Sequence, residues 1–302
     1  MTWQTSKDNL SKWPLISVVV PVYNGEKVLP TLIESLSKLD YPKDCLEIIL
    51  VNNNSSDRTA EILAATPFTV ISEMQPGCGT ARNAGIRQAR GEFIACTDAD
   101  CVVSPTWLKD LVAGFTDPKI GAVAGTIEPY ELTHPIERYE ALRLNDPGHR
   151  AKHIFLPTAC TANVMYRADV FQRVGLLLDR SGGEETDLNW RMQTQTEYRI
   201  HFLQSGGLVQ HRYRADFKAF CRSQRYKART LIDLHRRWNL HTPTGRKELL
   251  RTAISVSWFL PTVLTQTFGC GHSFYESCWE AWLNIVVPWT RYQGIREGWH
   301  KQ

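Results

Sequence analysis

Two aspartates separated by one residue, Asp98 and Asp100, end a short apolar run of the chain. The preceding residues, 93–96, are apolar and predict a buried strand. Two carboxylates so close together raise each other's pKa, and isolated buried charges cost several kcal/mol. Carboxylate oxygens suit Mg²⁺ or Mn²⁺, and Mg²⁺ commonly combines one or two carboxylates with substrate phosphates. The pattern therefore predicts a divalent metal site that also meets an anionic ligand. The alternative is a surface turn, in which Asp100 caps the helix predicted after Ser104.

Strand and helix patterns alternate through the first two-thirds of the chain. Apolar, β-branched runs predict strands at residues 15–22, 46–51, 68–72 and 93–97. Helical spacing predicts helices at residues 28–39, 57–65 and 80–90. This order predicts a parallel, doubly wound sheet, which binds ligands at the carboxyl ends of its strands. The polar segments 21–24, 52–57 and 98–100 would converge at that edge.

The remainder of the chain is less regular. Strands are predicted at residues 120–127, 161–166, 200–203 and 207–210, and helices at 135–144, 184–195 and 216–238. A turn is predicted at residues 145–148, and helices rich in Trp follow residue 247. We expect two parts, a main domain over residues 1–240 and a helical extension over residues 241–302.

Composition limits the class of protein. The 302 residues are 43% hydrophobic and 22% charged, which is typical of a globular chain, and the formal net charge of +4 does not indicate a nucleic-acid partner. The eight cysteines form no C-x-x-C pair and favour reduced thiols. No signal-peptide core is apparent in residues 1–14, and residues 253–268 are too polar to predict a membrane span. A cytoplasmic location is therefore expected, with peripheral contact at the inner face of the membrane left open.

Six motifs, in this order, resemble those of the inverting nucleotide-sugar glycosyltransferases of family 2. They are residues 17–24, 52–57, 79–85, 98–100, 183–188 and 211–214. The resemblance covers about residues 16–229 and implies the GT-A fold, an α/β fold with a mostly parallel, doubly wound sheet flanked by helices. Here a helical C-terminal extension would follow it.

The resemblance assigns a metal role to three residues. Asp100 would coordinate Mg²⁺ or Mn²⁺, and Asp98 would contact the ribose of the donor or the metal shell. His211 matches a position that supplies a further metal ligand in some relatives, whereas the alternative is an ordinary packed histidine. The cation would neutralise the departing nucleoside diphosphate.

Glu184 and Glu185 open a predicted helix after a glycine pair. Carboxylates are favoured there by the helix dipole alone. In the family this position carries a Glu-Asp pair whose second acid is the general base that deprotonates the acceptor hydroxyl. The resemblance therefore implies Glu185 as the base, with Glu184 as the second candidate, although Glu in place of Asp adds a methylene. Asp187 would orient the base or pair with Arg191.

The nucleotide side of the site is implied at the other strand ends. Pro21, Tyr23 and Asn24 follow the first strand, and the Tyr would flank the base. Asn52 and Asn53 lie where relatives usually carry an Asp, so the identity of the base stays open, with uridine expected and guanosine as the alternative. Arg82 and Asp98 would approach the nucleotide as well.

The function expected is metal-dependent transfer of a sugar from a nucleoside diphosphate sugar to a hydroxyl of a glycan, lipid or lipid-linked acceptor, as in polysaccharide or glycolipid synthesis. One alternative is a non-catalytic nucleotide- or sugar-binding scaffold. A nucleotidyltransferase is less consistent, because residues 21–27 contain too few glycines for a phosphate loop. The basic segment 211–229 suits a solvated helix face, or contact with a pyrophosphate or an anionic lipid surface. The Trp-rich tail suits peripheral membrane contact or protein packing.

Overall fold

The computed structural model describes residues 13–144, 154–180, 182–270 and 273–300, with the backbone alone at 143 and 144. The turn predicted at residues 145–148 lies outside these residues. Because the chain alternates between strands and helices over its first hundred residues, a layered α/β architecture results.

A seven-stranded sheet forms the centre of the molecule. Its strands are β1 (Ile16–Val22), β2 (Leu46–Asn52), β3 (Thr69–Ser72), β4 (Phe93–Thr97), β6 (Ile120–Ala124), β8 (Asn163–Arg167) and β9 (Arg199–Phe202), in the order β3-β2-β1-β4-β8-β6-β9. Only β8 runs antiparallel to its neighbours within this sheet. The predicted mostly parallel, doubly wound sheet is confirmed.

A second, three-stranded sheet in the order β5-β10-β7 consists of β5 (Cys101–Val103), β7 (Ile127–Pro129) and β10 (Val209–His211). In the antiparallel pair of β5 and β10, His211 lies opposite Cys101, directly after Asp100. This small sheet therefore brings a histidine from late in the chain to the paired aspartates.

Eleven α-helices are described. They are α1 (Leu29–Ser37), α2 (Thr59–Ala64), α3 (Cys78–Gln88), α4 (Trp107–Ala113), α5 (Pro135–Leu144), α6 (Ala168–Val174), α7 (Glu184–Gln195), α8 (Phe217–Arg237), α9 (Arg246–Ser257), α10 (Phe259–Leu264) and α11 (Phe274–His300). A short π-helical segment, Thr265–Gly269, follows α10. Among the described residues no helix has the length and apolar character needed to cross a membrane.

Both faces of the large sheet are covered. One apolar cluster packs α1 and α4 against β1, β2 and β4, and a second packs α6 and α7 on the opposite face. A Cβ at Gly85 in α3 would lie 2.5 Å from Val19 Cγ1, so only glycine allows α3 to approach β1 this closely. The sheet below the polar strand ends is therefore closely packed on both faces.

The last helix, α11, packs against the main domain. Leu283 and Val287 of α11 are buried with Ile136 of α5 and Phe220 of α8. A Cβ at Gly294 would lie 2.1 Å from the backbone oxygen of Arg225, so α8 and α11 come into near backbone contact there. The predicted boundary at residue 240 stays a prediction, because the structure shows one continuous packing arrangement across it.

Candidate active site

Asp100, Cys101 and His211 place their ligand atoms within 4.8 Å of one another at the end of β4. His211 Nε2 lies 3.5 Å from Asp100 Oδ1, and that oxygen is buried without a hydrogen-bond partner among the described residues. Burial raises the pKa of Asp100, the charge of Asp98 raises it further, and His211 and Arg214 oppose the shift. A buried carboxylate oxygen without a hydrogen-bond donor, next to an imidazole nitrogen, is a donor set that fits a divalent cation.

Asp100 does not cap the following helix. Helix α4 begins at Trp107 with Thr106 in the N-cap position, whereas Asp100 lies in the turn between β4 and β5. The alternative interpretation of Asp100 as a helix cap is therefore wrong.

Arg82 joins the metal end of the site to the acidic pair. Its side chain is 2% exposed, forms an ion pair with Asp98 on one side, and donates a hydrogen bond from Nη1 to Glu184 Oε1 at 3.4 Å on the other. Arg82 lies on α3, whose first turn packs directly against the backbone of Leu178. A Cβ at Gly79 would lie 2.1 Å from the backbone oxygen of Leu178, so only glycine allows this contact. The start of α3 is thus pressed against the loop that leads into α7.

Glu184 and Glu185 occupy the first turn of α7, after Gly183 in a left-handed conformation (φ +81°). Glu184 is 4% exposed. Burial raises its pKa to about 8, with a further contribution from Glu185, while Arg82 opposes the shift. Glu185 is only half-buried and faces the cavity described below. The raised pKa favours the protonated form of Glu184 near neutral pH, and Glu185 is the more exposed of the two residues.

Asp187 anchors the first turn of α7. Its side chain is fully buried and accepts hydrogen bonds from Arg191 Nε at 2.7 Å, Arg237 Nε at 2.7 Å and Trp238 Nε1 at 3.0 Å. The predicted pairing with Arg191 is present, but in the interior. The two contacts from the end of α8 were not predicted, because partners about fifty residues apart leave no local signal in the sequence.

The predicted nucleotide residues lie at the ends of β1 and β2. Tyr23 is 66% exposed. Pro21 is buried in β1, but the pairing of β1 with β4 ends at Val19, before Pro21. Pro21 therefore removes no ladder hydrogen bond on that side. Asn24 adopts φ +48°, and its Oδ1 accepts from the Ser56 backbone at 2.8 Å.

Asn52 and Asn53 organise the loops beside β2. Asn52 Oδ1 accepts from the backbone of Ser55 at 3.3 Å. Asn53 is buried, donates to the backbone oxygens of Glu73 and Gln75, and accepts from Gly77. Their predicted contact with a nucleotide stays a prediction, and the structure gives Asn53 a positioning role for the loop ahead of α3.

A cavity of about 540 Å³ brings most of these groups together. The residues of the predicted site that line it are Arg82, Asp98, Glu184, Glu185 and His211. Lining residues that were not among the predicted site residues include Glu140 of α5, Arg214, and Tyr226 and Lys227 of α8. Glu140 is buried beside Lys227 Nζ, 3.3 Å away. The basic and aromatic segment 211–229 was the sequence signal for Arg214, Tyr226 and Lys227.

A known protein family matches the part of the chain that contains several of these residues. The family model for glycosyl transferase family 2 matches residues 17–175. The chain belongs to this family. That match contains β1 except for Ile16, the paired aspartates and Arg82, and it ends before α7 and His211.

Two relatives with curated names are similar over the same region. Glycosyltransferase AglE of Haloferax volcanii is 29% identical over 64% of this chain, and the probable glycosyltransferase YdaM of Bacillus subtilis is 30% identical over 65%. The alignments span 65% and 50% of the lengths of those two proteins.

Solved structures confirm the GT-A fold, and the predicted C-terminal helices are present as α9 to α11. A mannosyltransferase from Pyrobaculum calidifontis, solved with GDP-Man and Mn²⁺, aligns with a TM-score of 0.65 over 97% of this chain and 89% of its own, at 18% identity. Residues 1–349 of TarS from S. aureus, solved with UDP-GlcNAc, align with a TM-score of 0.53 over 95% and 93%, at 17% identity.

Proposed function

We propose that this protein is a metal-dependent, inverting glycosyltransferase. It would transfer a sugar from a nucleoside diphosphate sugar to a hydroxyl group of a glycan, lipid or lipid-linked acceptor. The observation that carries the proposal is the single cavity shared by Asp98, His211, Arg82 and the acidic pair at the start of α7. A donor diphosphate and an acceptor hydroxyl need these two kinds of group within reach of each other.

Asp100 and His211 are the residues proposed to hold a divalent cation. The buried, unpartnered Oδ1 of Asp100 supports this role. Cys101 is a less suitable ligand for Mg²⁺ or Mn²⁺, because burial raises its thiol pKa well above the ordinary value and thiolates favour softer metals. When bound, the cation would offset the negative charge that develops on the departing nucleoside diphosphate. Asp98, held by Arg82, is proposed to contact the ribose.

Glu185 is the proposed general base. Its carboxylate would accept the proton of the acceptor hydroxyl, whose oxygen then attacks the anomeric carbon from the face opposite the leaving diphosphate, so that the anomeric configuration inverts. Glu184 is unsuited to this step at neutral pH because its raised pKa, about 8, keeps it protonated. We assign Glu184 the role of fixing Arg82, and through it Asp98.

The donor base is proposed to be uracil or guanine. The structural neighbours include one protein solved with GDP-Man and another with UDP-GlcNAc, so both bases occur on this fold. The exposed ring of Tyr23 can stack on either base, and the Asn52 amide can both donate and accept hydrogen bonds.

The proposal is tested by measuring donor binding and turnover in the same variants. Thermal shifts of the wild type with UDP or GDP should appear for one nucleotide and should require Mn²⁺, because a ligand that binds the folded state stabilises it by mass action. Asp100→Ala should abolish the shift. Glu185→Gln should retain it, yet lower the rate of donor-sugar turnover at least about 100-fold.

Glu197→Gln is the matched control, since Glu197 lies near the end of α7, is exposed, and among the described residues forms an ion pair only with Lys119. It should behave as wild type in both assays. Equal turnover in Glu185→Gln and the control would refute the assignment of the base. If neither nucleotide shifts the wild type with any metal, the chain is better described as a scaffold.

A further inference from the structure

Helix α9 exposes its apolar residues together with three cations, while three of its polar residues face inward. Glu248, Thr252 and Ser255, spaced by four and three residues, are half-buried toward the rest of the molecule. The outward side carries Leu249, Leu250, Ala253, Ile254 and Val256, all of them exposed. A helix on a water-facing surface normally has the opposite arrangement, with its apolar stripe toward the core.

The apolar character continues beyond α9. Residues 252–274 contain no Asp, Glu, Lys or Arg. Within this run Trp258, Leu260, Leu264 and Phe268 are exposed, Trp258 by 61% and Phe268 by 83%. We call the exposed apolar residues of 249–268 the tail surface. So many exposed apolar residues within one stretch of chain indicate a binding surface rather than scattered surface hydrophobicity.

Uncompensated positive charge borders the tail surface. Arg246, Lys247 and Arg251 lie on α9 itself, are exposed, and form no ion pair with any residue the structure describes. Each such cation near an anionic lipid surface contributes about 1 kcal/mol of attraction. A protein partner with an apolar groove would need matching acids to satisfy these cations, whereas an anionic bilayer supplies negative headgroups beside an apolar interior.

Helix α11 adds aromatic residues of the kind found at membrane interfaces. Tyr275, Trp282 and Trp289 are exposed and recur every seven residues, which places them along one side of the helix. Trp and Tyr favour the headgroup region of a bilayer because their rings are apolar and their N–H or O–H groups are polar.

We propose that the tail surface binds an anionic membrane, with the outward side of α9 and the segment through Phe268 inserted among the lipid headgroups and Arg246, Lys247 and Arg251 against anionic phosphates. This surface lies outside the catalytic cavity, and none of its residues lines that cavity. The inference goes beyond the proposed glycosyl transfer and does not depend on it.

Vesicle flotation of the full chain tests the proposal. The wild type should float with vesicles of phosphatidylcholine mixed with phosphatidylglycerol, and less with phosphatidylcholine alone, and salt should weaken the binding. The double variant Leu250→Ser/Ile254→Ser should bind at least about tenfold more weakly, because each substitution removes several apolar carbon groups that the wild type would bury in the bilayer. The triple variant Arg246→Gln/Lys247→Gln/Arg251→Gln should lose the preference for the anionic vesicles.

The matched control is Met74→Ser/Leu142→Ser, which removes two exposed apolar side chains elsewhere, 70% and 79% exposed respectively. It should bind vesicles as the wild type does. Light scattering without lipid separates the main rival. A dimer that the Leu250→Ser/Ile254→Ser variant converts to monomer would overturn the proposal in favour of a second copy of the chain. Absence of flotation with either vesicle would overturn it as well. Nucleotide-induced thermal shifts should be unchanged in these variants, which separates a failure here from a failure of the proposed catalytic function.

Discussion

Glu184 is the residue at which burial has the clearest chemical consequence. Its ordinary pKa is 4.5 and its value in the folded protein is about 8, because burial and the neighbouring Glu185 outweigh the attraction of Arg82. Between these two pH values the folded protein binds more protons than the unfolded chain. The free energy of unfolding contributed by Glu184 is therefore full below about pH 4.5 and is lost as the pH rises through about 8.

The first prediction concerns the pH dependence of stability. Urea unfolding in metal-free buffer should show the wild type losing roughly 1 to 4 kcal/mol of unfolding free energy relative to Glu184→Gln between about pH 5 and about pH 8. Gln cannot ionise, so the variant lacks this contribution. Glu197→Gln, which removes an exposed carboxylate, should follow the wild type. Parallel curves for the wild type and Glu184→Gln would contradict the assigned protonation state.

At the same scale, the sequence predicted residue types better than it predicted their partners. Asp98, Arg82, Glu185 and His211 were each predicted for the site and do line one cavity. Glu140 was missed because it comes from helix α5, whose sequence pattern predicts a helix but not the direction in which a side chain points. Asn53 was predicted to contact a nucleotide, but its amide already forms hydrogen bonds with the backbone of Glu73 and Gly77.

At the scale of the helices, α8 and α11 cross with their backbones nearly in contact, and a substitution at Gly294 tests this crossing. Gly294→Ala would place a methyl group 2.1 Å from the carbonyl oxygen of Arg225, so the two helices must separate. Although Ala favours a helix over Gly by about 1 kcal/mol, we expect a net loss of about 1 to 3 kcal/mol in thermal unfolding. Gly269→Ala is the matched control, because its new methyl group would meet only Thr265 at 3.8 Å. A neutral or stabilised Gly294→Ala variant would contradict the close crossing.

The elements themselves were largely predictable, and the failures have physical causes. Strand β4 and helix α7 have the predicted bounds, because apolar runs and helical spacing are local properties. The single strand predicted over residues 120–127 is instead divided into β6 and β7, which belong to different sheets. The break follows Gly125, where a Cβ would lie 2.2 Å from the oxygen of Gly207. Such a close approach depends on a segment eighty residues away and leaves no local pattern.

For the whole molecule, the question is whether residues 1–240 form an independent unit. Ile136 and Tyr139 of α5 and Phe220 of α8 are buried against α11, and Ile232 of α8 is buried against Ile295. Removing the extension would expose these four side chains to water. Burial of one large apolar side chain stabilises a protein by about 1.5 to 3 kcal/mol, so their combined loss is comparable with the total stability of a typical domain.

We therefore predict that a chain truncated after Leu240 does not fold cooperatively, as judged by near-ultraviolet circular dichroism and thermal unfolding. A protease site inserted between His241 and Thr244 provides the control, because cleavage there cuts the connection but leaves α11 in place. The two cleaved fragments should co-purify and unfold in one transition, since apolar packing rather than the covalent link holds them together. A truncated chain that melts as sharply as the full one would instead establish residues 1–240 as a separate domain. The extension would then serve the tail surface alone, and the close crossing at Gly294 would contribute nothing to the stability of the catalytic part.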